Sequence, residues 1–293
     1  VIERLNYRPN AVARGLASKR TTTVGVVIPS ITNPYFAELA LGIDDIASMY
    51  KYNIILANSD YDNDKILKVV RNLHAKQVDG IIFMGFDLSP ELRAEFKSSS
   101  TPVVVAGSVV NDKELPAVRI DYRKAAKEAV TRLLDHNHDH VALVTSSLGY
   151  SINADDRLSG YKDALADAGV DFDDQLVIET DGSYKQIYDQ AKAIADSGVK
   201  AAYVTNDHLA VGLLNGLTDS GIKVPDDFEI ISSNDTTYTR LCRPMLTSIS
   251  QPLYDIGAVS MRLLTKLMED KDDSESDVIL EHSIIPRQST RLQ

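Results

Sequence analysis

Two hydrophobic periods alternate along this chain. The run Val24-Gly25-Val26-Val27-Ile28 is short, β-branched and closed by Pro29, as a strand buried on both faces should be. Asn33 and Pro34 then supply an N-cap and a first-turn proline. Phe36, Leu39, Ala40, Ile43, Ile46, Ala47 and Tyr50 follow at helical spacing. Residues 53–57 predict the next strand, Ile66, Val69, Val70 and Leu73 the next helix, and 80–84 and 103–105 two further strands. The rhythm restarts after Asp121. A helix is expected over 125–134, a strand over 141–145, a helix over 156–168, and strands at 176–179, 201–205 and 228–232 with helices between them. Repeated βα units predict parallel sheets with helices on both faces. Two such series predict an α/β protein of two doubly wound lobes, with a crevice at the strand ends.

The tail adds a strand at 247–250, a long helix from Pro252 to about Met268, a charged loop over 269–277 and a strand at 278–280. The surplus helix and strand can be added back to the first lobe, so that the chain crosses between lobes several times, an arrangement suited to hinge closure. The expected division is 1–20 as an N-terminal helical segment, 21–122 with 251–280 as one lobe, and 123–250 with 281–293 as the other.

Composition narrows the class. The 293 residues are 44% apolar and 25% charged, a globular profile in a length that suits two lobes. No stretch approaches the roughly 20 apolar residues of a membrane span, and no signal-peptide pattern opens the chain. The single cysteine, Cys242, excludes an internal disulfide framework and fits a reducing cytoplasm, although a periplasmic binding protein can also lack disulfides. The net charge of −11 is unevenly spread. Residues 1–20 hold Arg4, Arg8, Arg14, Lys19 and Arg20 against Glu3, a net +4, which leaves −15 for the remainder. A basic arm on an acidic body points to phosphate contact at one end. Within that arm, residues 11–18 read as a helix too short to hold alone in water. A basic, small-residue helix with one exposed leucine suits a DNA minor groove, where the leucine can wedge between base steps.

The segment Tyr7-Arg8-Pro9-Asn10-Ala11-Val12-Ala13-Arg14-Gly15-Leu16-Ala17 resembles the join between headpiece and hinge helix in the lactose/galactose repressor family. Thr23 to Pro29 and Asn33 to Phe36 are similar to that family's first core strand and helix, and the likeness extends over essentially the whole chain. It implies a periplasmic-binding-protein-like core, a homodimer, and a helix-turn-helix of a few tens of residues ahead of Val1 that reads operator DNA in the major groove. It also implies Asn10, Ala13, Arg14, Leu16 and Ala17 as minor-groove contacts, with Leu16 as the intercalating wedge.

Residues 47–56, 76–84 and 251–266 resemble most closely the branch of this family that governs carbon catabolite control in Gram-positive bacteria. There the main effector is the histidine-containing phosphocarrier protein phosphorylated on a serine. On the last long helix, Ile256, Val259, Leu263 and Leu267 share one side, while Asp255, Arg262 and Lys266 form a polar stripe roughly 100° from its centre. Arg262 could grip a phosphate through paired hydrogen bonds, with Lys266 as a second positive charge. Tyr254 and, on another helix, Tyr52 resemble the family's partner-contacting aromatics. Ordinary solvated charges would produce the same stripe.

The effector crevice departs from the family pattern. Ala106-Gly107-Ser108 stands where many members place an acidic residue on the sugar hydroxyls, and Ser232-Ser233-Asn234-Asp235 replaces a phenylalanine–aspartate pair. Asp121, Arg157 (expected ahead of a helix), Asp207 and Asn234 remain as crevice candidates, for a phosphorylated-sugar co-effector or as simple helix caps. His136, His138 and His140 alternate like metal ligands, but they lie between a helix end and a strand and His138 matches an ordinary family position, so metal binding is set aside. No G-x-S-x-G, P-loop or G-x-G-x-x-G motif is present. No cofactor and no enzymatic activity are expected. Two rival functions are a repressor of the same family released by a free sugar and, against the basic arm, a periplasmic sugar-binding protein.

Overall fold

The computed structural model describes residues 20–85, 88–108, 115–136, 138, 140–146, 153–269 and 277–291. The proposed DNA contacts Asn10, Ala13, Arg14, Leu16 and Ala17 lie outside the described residues. The chain divides into two units, one ending at Arg119 and resuming over Leu253–Val278, the other comprising Ile120–Pro252 and Ile279–Gln293.

In the first unit, strands and helices alternate as β1 (Thr23–Ile28), α1 (Pro34–Met49), β2 (Asn53–Asn58), α2 (Asn63–Ala75), β3 (Gly80–Phe83), α3 (Pro90–Ser98), β4 (Val103–Ala106) and β5 (Ala117–Ile120). The second unit continues with α4 (Tyr122–Asp135), β6 (Val141–Ser146), α5 (Ala154–Asp167), β7 (Val177–Thr180), α6 (Tyr184–Asp196), β8 (Ala201–Val204), α7 (Asp207–Asp219), β9 (Glu229–Ser232), α8 (Thr237–Leu241) and β10 (Thr247–Ser250). The chain then returns to the first unit with α9 (Leu253–Met268) and β11 (Asp277–Leu280), and ends in the second with β12 (Ser283–Ile285).

The first sheet runs β11-β5-β4-β3-β1-β2, and β1 pairs parallel to both β2 and β3. The second runs β12-β10-β9-β8-β6-β7. It is parallel except at its edge, where β12 pairs antiparallel to β10 and departs from the all-parallel expectation. The chain reaches this edge only after passing through the first unit as α9 and β11, so β12 is no part of the βα repeat that keeps the other strands parallel. Alternate strand residues face opposite helical layers. In the second unit Ala142, Val144, Ala202, Val204 and Ile230 pack with Ile187, Ala191, Leu209 and Leu213 of α6 and α7. In the first unit Val27, Ile81, Phe83 and Val105 pack with α2 and α3, while α9 lies on β3 and β4 and against α1.

Glycines let helix pairs approach to backbone contact. A Cβ on Gly42 would stand 2.0 Å from the Tyr254 carbonyl oxygen, and one on Gly257 would stand 2.0 Å from that of Leu39. Gly160 against Arg123 and Gly216 against Tyr188 serve α4–α5 and α6–α7 in the same way. Helix α1 ends in a Schellman turn. Lys51 is left-handed at φ 63°, its N–H donates to Ser48 and that of Tyr52 to Ala47. Tyr52 was expected on a helix; it is the extended residue between this turn and β2. The helical pattern itself ends at Tyr50, ahead of this turn; the helix placement of Tyr52 comes from the family resemblance.

Candidate functional site

Helix α9 buries Leu253, Ile256, Gly257, Met261, Leu263 and Leu264 and leaves Tyr254, Asp255, Arg262 and Lys266 exposed, with Val259 half-buried. The polar positions therefore form one strip along a helix whose other sides are held by the core and by α1. Tyr254 donates its phenolic proton to Asp45 Oδ2 on α1 at 2.9 Å. That bond holds the phenol above its ordinary pKa. Leu41 and Met49, one helical turn either side of Asp45, are 57% and 60% exposed, so the strip is flanked by an apolar margin. The sequence reading missed this margin, although the i, i+4, i+8 spacing of Leu41, Asp45 and Met49 was available to it. Among the described residues, no ion pair engages Arg262. Tyr52 is half-buried and hydrogen-bonds with Arg20 at the end of α9; burial first, opposed by Arg20, leaves its phenol raised. An exposed guanidinium with an ammonium one turn further along the same helix can take a phosphate through paired hydrogen bonds.

The crevice candidates all fall in the second unit, and the structure brings three of them together. Arg157 lies inside the first turn of α5 rather than ahead of a helix, because α5 begins at Ala154. Its guanidinium is buried over the Tyr122 ring, 5.2 Å from the centroid, and Nη2 donates to Asn234 Oδ1 at 3.3 Å. Gln251 Nε2 donates to the same oxygen at 2.8 Å. Asp207, 1% exposed, opens α7 and accepts from the Ser232 hydroxyl, from the Asn234 N–H at 3.1 Å, and from the Thr236 N–H and hydroxyl at 2.7 Å each. Burial pushes its carboxyl upward, and these four donors oppose the shift. Asp121 stands apart as the N-cap of α4, accepting from the Lys124 N–H at 2.9 Å. Asp207 thus braces the loop after β9, and Asn234 already receives two donors.

His136 and His138 both contact one buried carboxylate, Glu229, at 2.8 and 3.0 Å, and the Arg291 N–H donates to it at 3.0 Å. Burial alone would raise the Glu229 pKa, but these bonds outweigh it and hold it at about 2. His140 is exposed. Among the described residues no group of three His, Cys, Asp or Glu side chains is arranged to hold a metal ion, and no helix is long and apolar enough to cross a membrane.

A second feature escaped sequence reasoning because its members come from three helices. Tyr188 stacks on Tyr184 at 5.8 Å, Tyr184 meets His208 at 5.9 Å, and His208 meets Tyr238 at 6.0 Å. The row is partly exposed, and Leu241 at the end of α8 is 73% exposed.

Two α/β lobes, one with an exposed polar helix strip and the other with a cluster of buried polar groups, have the build of a binding core. The family model described as periplasmic binding proteins and sugar binding domain of LacI family matches residues 21–287, and the chain belongs to that family. It is 55% identical over 291 residues to catabolite control protein A of Streptococcus mutans, covering 99% of this chain and 87% of that protein. The crystal structure of transcription regulator CcpA of Lactococcus lactis matches with a TM-score of 0.88 at 48% identity, covering 93% of this chain and all of that one. A LacI family regulator from Enterococcus faecium with bound ribose matches with a TM-score of 0.80 at 28% identity, covering 92% and 98%. The chain is accordingly a transcriptional regulator of the catabolite-control kind and no enzyme.

Proposed function

We propose that the protein is a cytoplasmic homodimer whose grip on double-stranded operator DNA is strengthened by the serine-phosphorylated phosphocarrier protein. The partner docks on the α9 strip. Arg262 takes the phosphate with Lys266 beside it, Asp255 and Tyr254 fix the register, and Tyr52 lies off the end of the same helix. DNA contact falls to the basic arm, with Asn10, Ala13, Arg14 and Ala17 tracking the minor groove and Leu16 wedged between base steps. The row Tyr184, Tyr188, His208 and Tyr238, with Leu241, is the apolar surface we assign to self-association. The observation that carries this reading is the exposed Arg262 guanidinium, outside any ion pair among the described residues and one turn from Lys266. Arg262→Ala should abolish partner-stimulated operator binding while partner-free binding persists; unchanged stimulation would refute the phosphate grip.

A second reading, release by a free sugar, is favoured by the ribose-bound relative. Against it, Asn234 and Asp207 already make internal hydrogen bonds. A phosphorylated sugar acting as co-effector near Arg157, Asp121 and Asn234 is compatible with the main reading. Calorimetry with a sugar panel separates the two, since micromolar binding of an unmodified sugar favours release.

A further inference from the structure

The N-terminal arm and the partner strip meet at one joint within the first unit. Arg20 Nη2 donates to the carbonyl of Met268, the last residue of α9, at 3.0 Å. That carbonyl belongs to the unsatisfied C-terminal turn of the helix, where a cation is favoured by the helix dipole. Arg20 also hydrogen-bonds with Tyr52, so one guanidinium touches both the end of the partner helix and an aromatic we assign to the partner face. The next residue is strapped separately. The Thr21 N–H donates to Asp79 Oδ1 at 2.8 Å and its hydroxyl to the Gln77 carbonyl at 3.0 Å. Thr22 then sits at φ 50°, a left-handed conformation that a β-branched residue rarely adopts. It is held there by bonds on either side, from the Asn53 N–H to the Thr22 carbonyl and from the Asp79 N–H to that of Thr23. A strained turn persists only where its surroundings over-determine it. These straps fix the backbone of residues 21–23 where β1 begins.

We propose that Arg20 is the coupling residue between partner and DNA: its bond to the α9 terminus reports the state of the partner helix to the operator-binding arm. This rests on the phosphocarrier reading above. Docking that orders the last turn of α9 strengthens the Arg20 anchor, and an anchored Arg20 with a strapped Thr21 presents the arm in its DNA-competent direction. Asp79 is a positioning residue that acts through Thr21. Because coupling is reciprocal, operator DNA must raise partner affinity by the same factor.

The test uses full-length protein, operator DNA, and the phosphocarrier in serine-phosphorylated and unphosphorylated forms, with Arg20→Ala, Arg20→Lys and Asp79→Asn compared at equal melting temperature. Two ratios are read: operator affinity with and without phosphorylated partner, and partner affinity with and without operator. Arg20→Ala should lower both ratios by about fivefold or more, within the usual range of coupling factors. Arg20→Lys, still able to donate to a carbonyl, should recover part of the loss, and Asp79→Asn should reduce both ratios. Undiminished ratios in Arg20→Ala overturn the proposal. So does an equal loss of operator affinity with and without partner, which would make Arg20 a plain phosphate contact. Absence of stimulation in the wild-type protein would instead bring down the phosphocarrier reading and this one together.

Discussion

The contact between α1 and α9 sets the geometry of the proposed partner site, and Gly42→Ala tests it directly. The new Cβ would lie 2.0 Å from the Tyr254 carbonyl oxygen, against a minimum near 3.0 Å for real Cβ contacts, so the helices must separate by about 1 Å. The obstacles are helix backbone atoms of Tyr254 and Ala258, not flexible side chains. A gap of that size forfeits about a quarter to a half of each dispersion contact across the seam. The seam includes Leu39, Ile43, Ile256 and Met261, all fully buried. Overpacking of this kind costs about 1–3 kcal/mol, whereas glycine-to-alanine in an unhindered helix gains roughly 0.8–1 kcal/mol. The net expectation is a loss of up to about 2 kcal/mol for Gly42→Ala, and the same for Gly257→Ala, which meets Leu39 from the other side. The double variant should cost less than the sum, because the first substitution has already parted the helices. Urea titration followed by far-UV circular dichroism measures these differences. Partner binding should weaken as the Tyr254–Asp45 bond is pulled apart. A Gly42→Ala protein more stable than wild type by the helix-propensity gain would show that the backbones do not touch and would refute the argument.

Three other outcomes are expected. Glu229 has a folded pKa of about 2 against an ordinary 4.5. Its stabilisation is therefore present above pH 4.5 and lost as the pH falls toward 2, about 3 kcal/mol in all. Glu229→Gln should be less stable at neutral pH, with the gap closing on acidification; a gap independent of pH would contradict the ion-paired account. Asp207→Asn replaces an acceptor of four hydrogen bonds with a group half of which is a donor. It should cost about 2–3 kcal/mol and raise hydrogen exchange over residues 232–236; unchanged exchange there would mean that Asp207 does not hold the loop. Leu241→Asp alters a 73% exposed side chain and should leave monomer stability within about 0.5 kcal/mol while shifting the proposed dimer toward monomer in sedimentation velocity. A persistent dimer would remove Leu241 from the self-association surface.

Much of the architecture is written in local periodicity. Val24 to Ile28, Phe36 to Tyr50 and the long run ending at Met268 announce their type because burial on two faces, one stripe or one side each leaves a distinct repeat. The polar positions Asp255, Arg262 and Lys266 were visible for the same reason: on a helix, spacing alone fixes which residues share a side. Local sequence did not determine what stands beside them. Leu41, Asp45 and Met49 flank Tyr254 only because Gly42 and Gly257 bring two helices, distant along the chain, into backbone contact. The histidines at 136 and 138 converge on Glu229, and Asp207 is buried under donors from the loop after β9, through contacts that span tens of residues. Arg20 reaches Met268 across 248 positions. Periodicity records how each segment meets the core in general. Which atoms it meets there depends on how the sheets and helices assemble, and only the folded chain decides that.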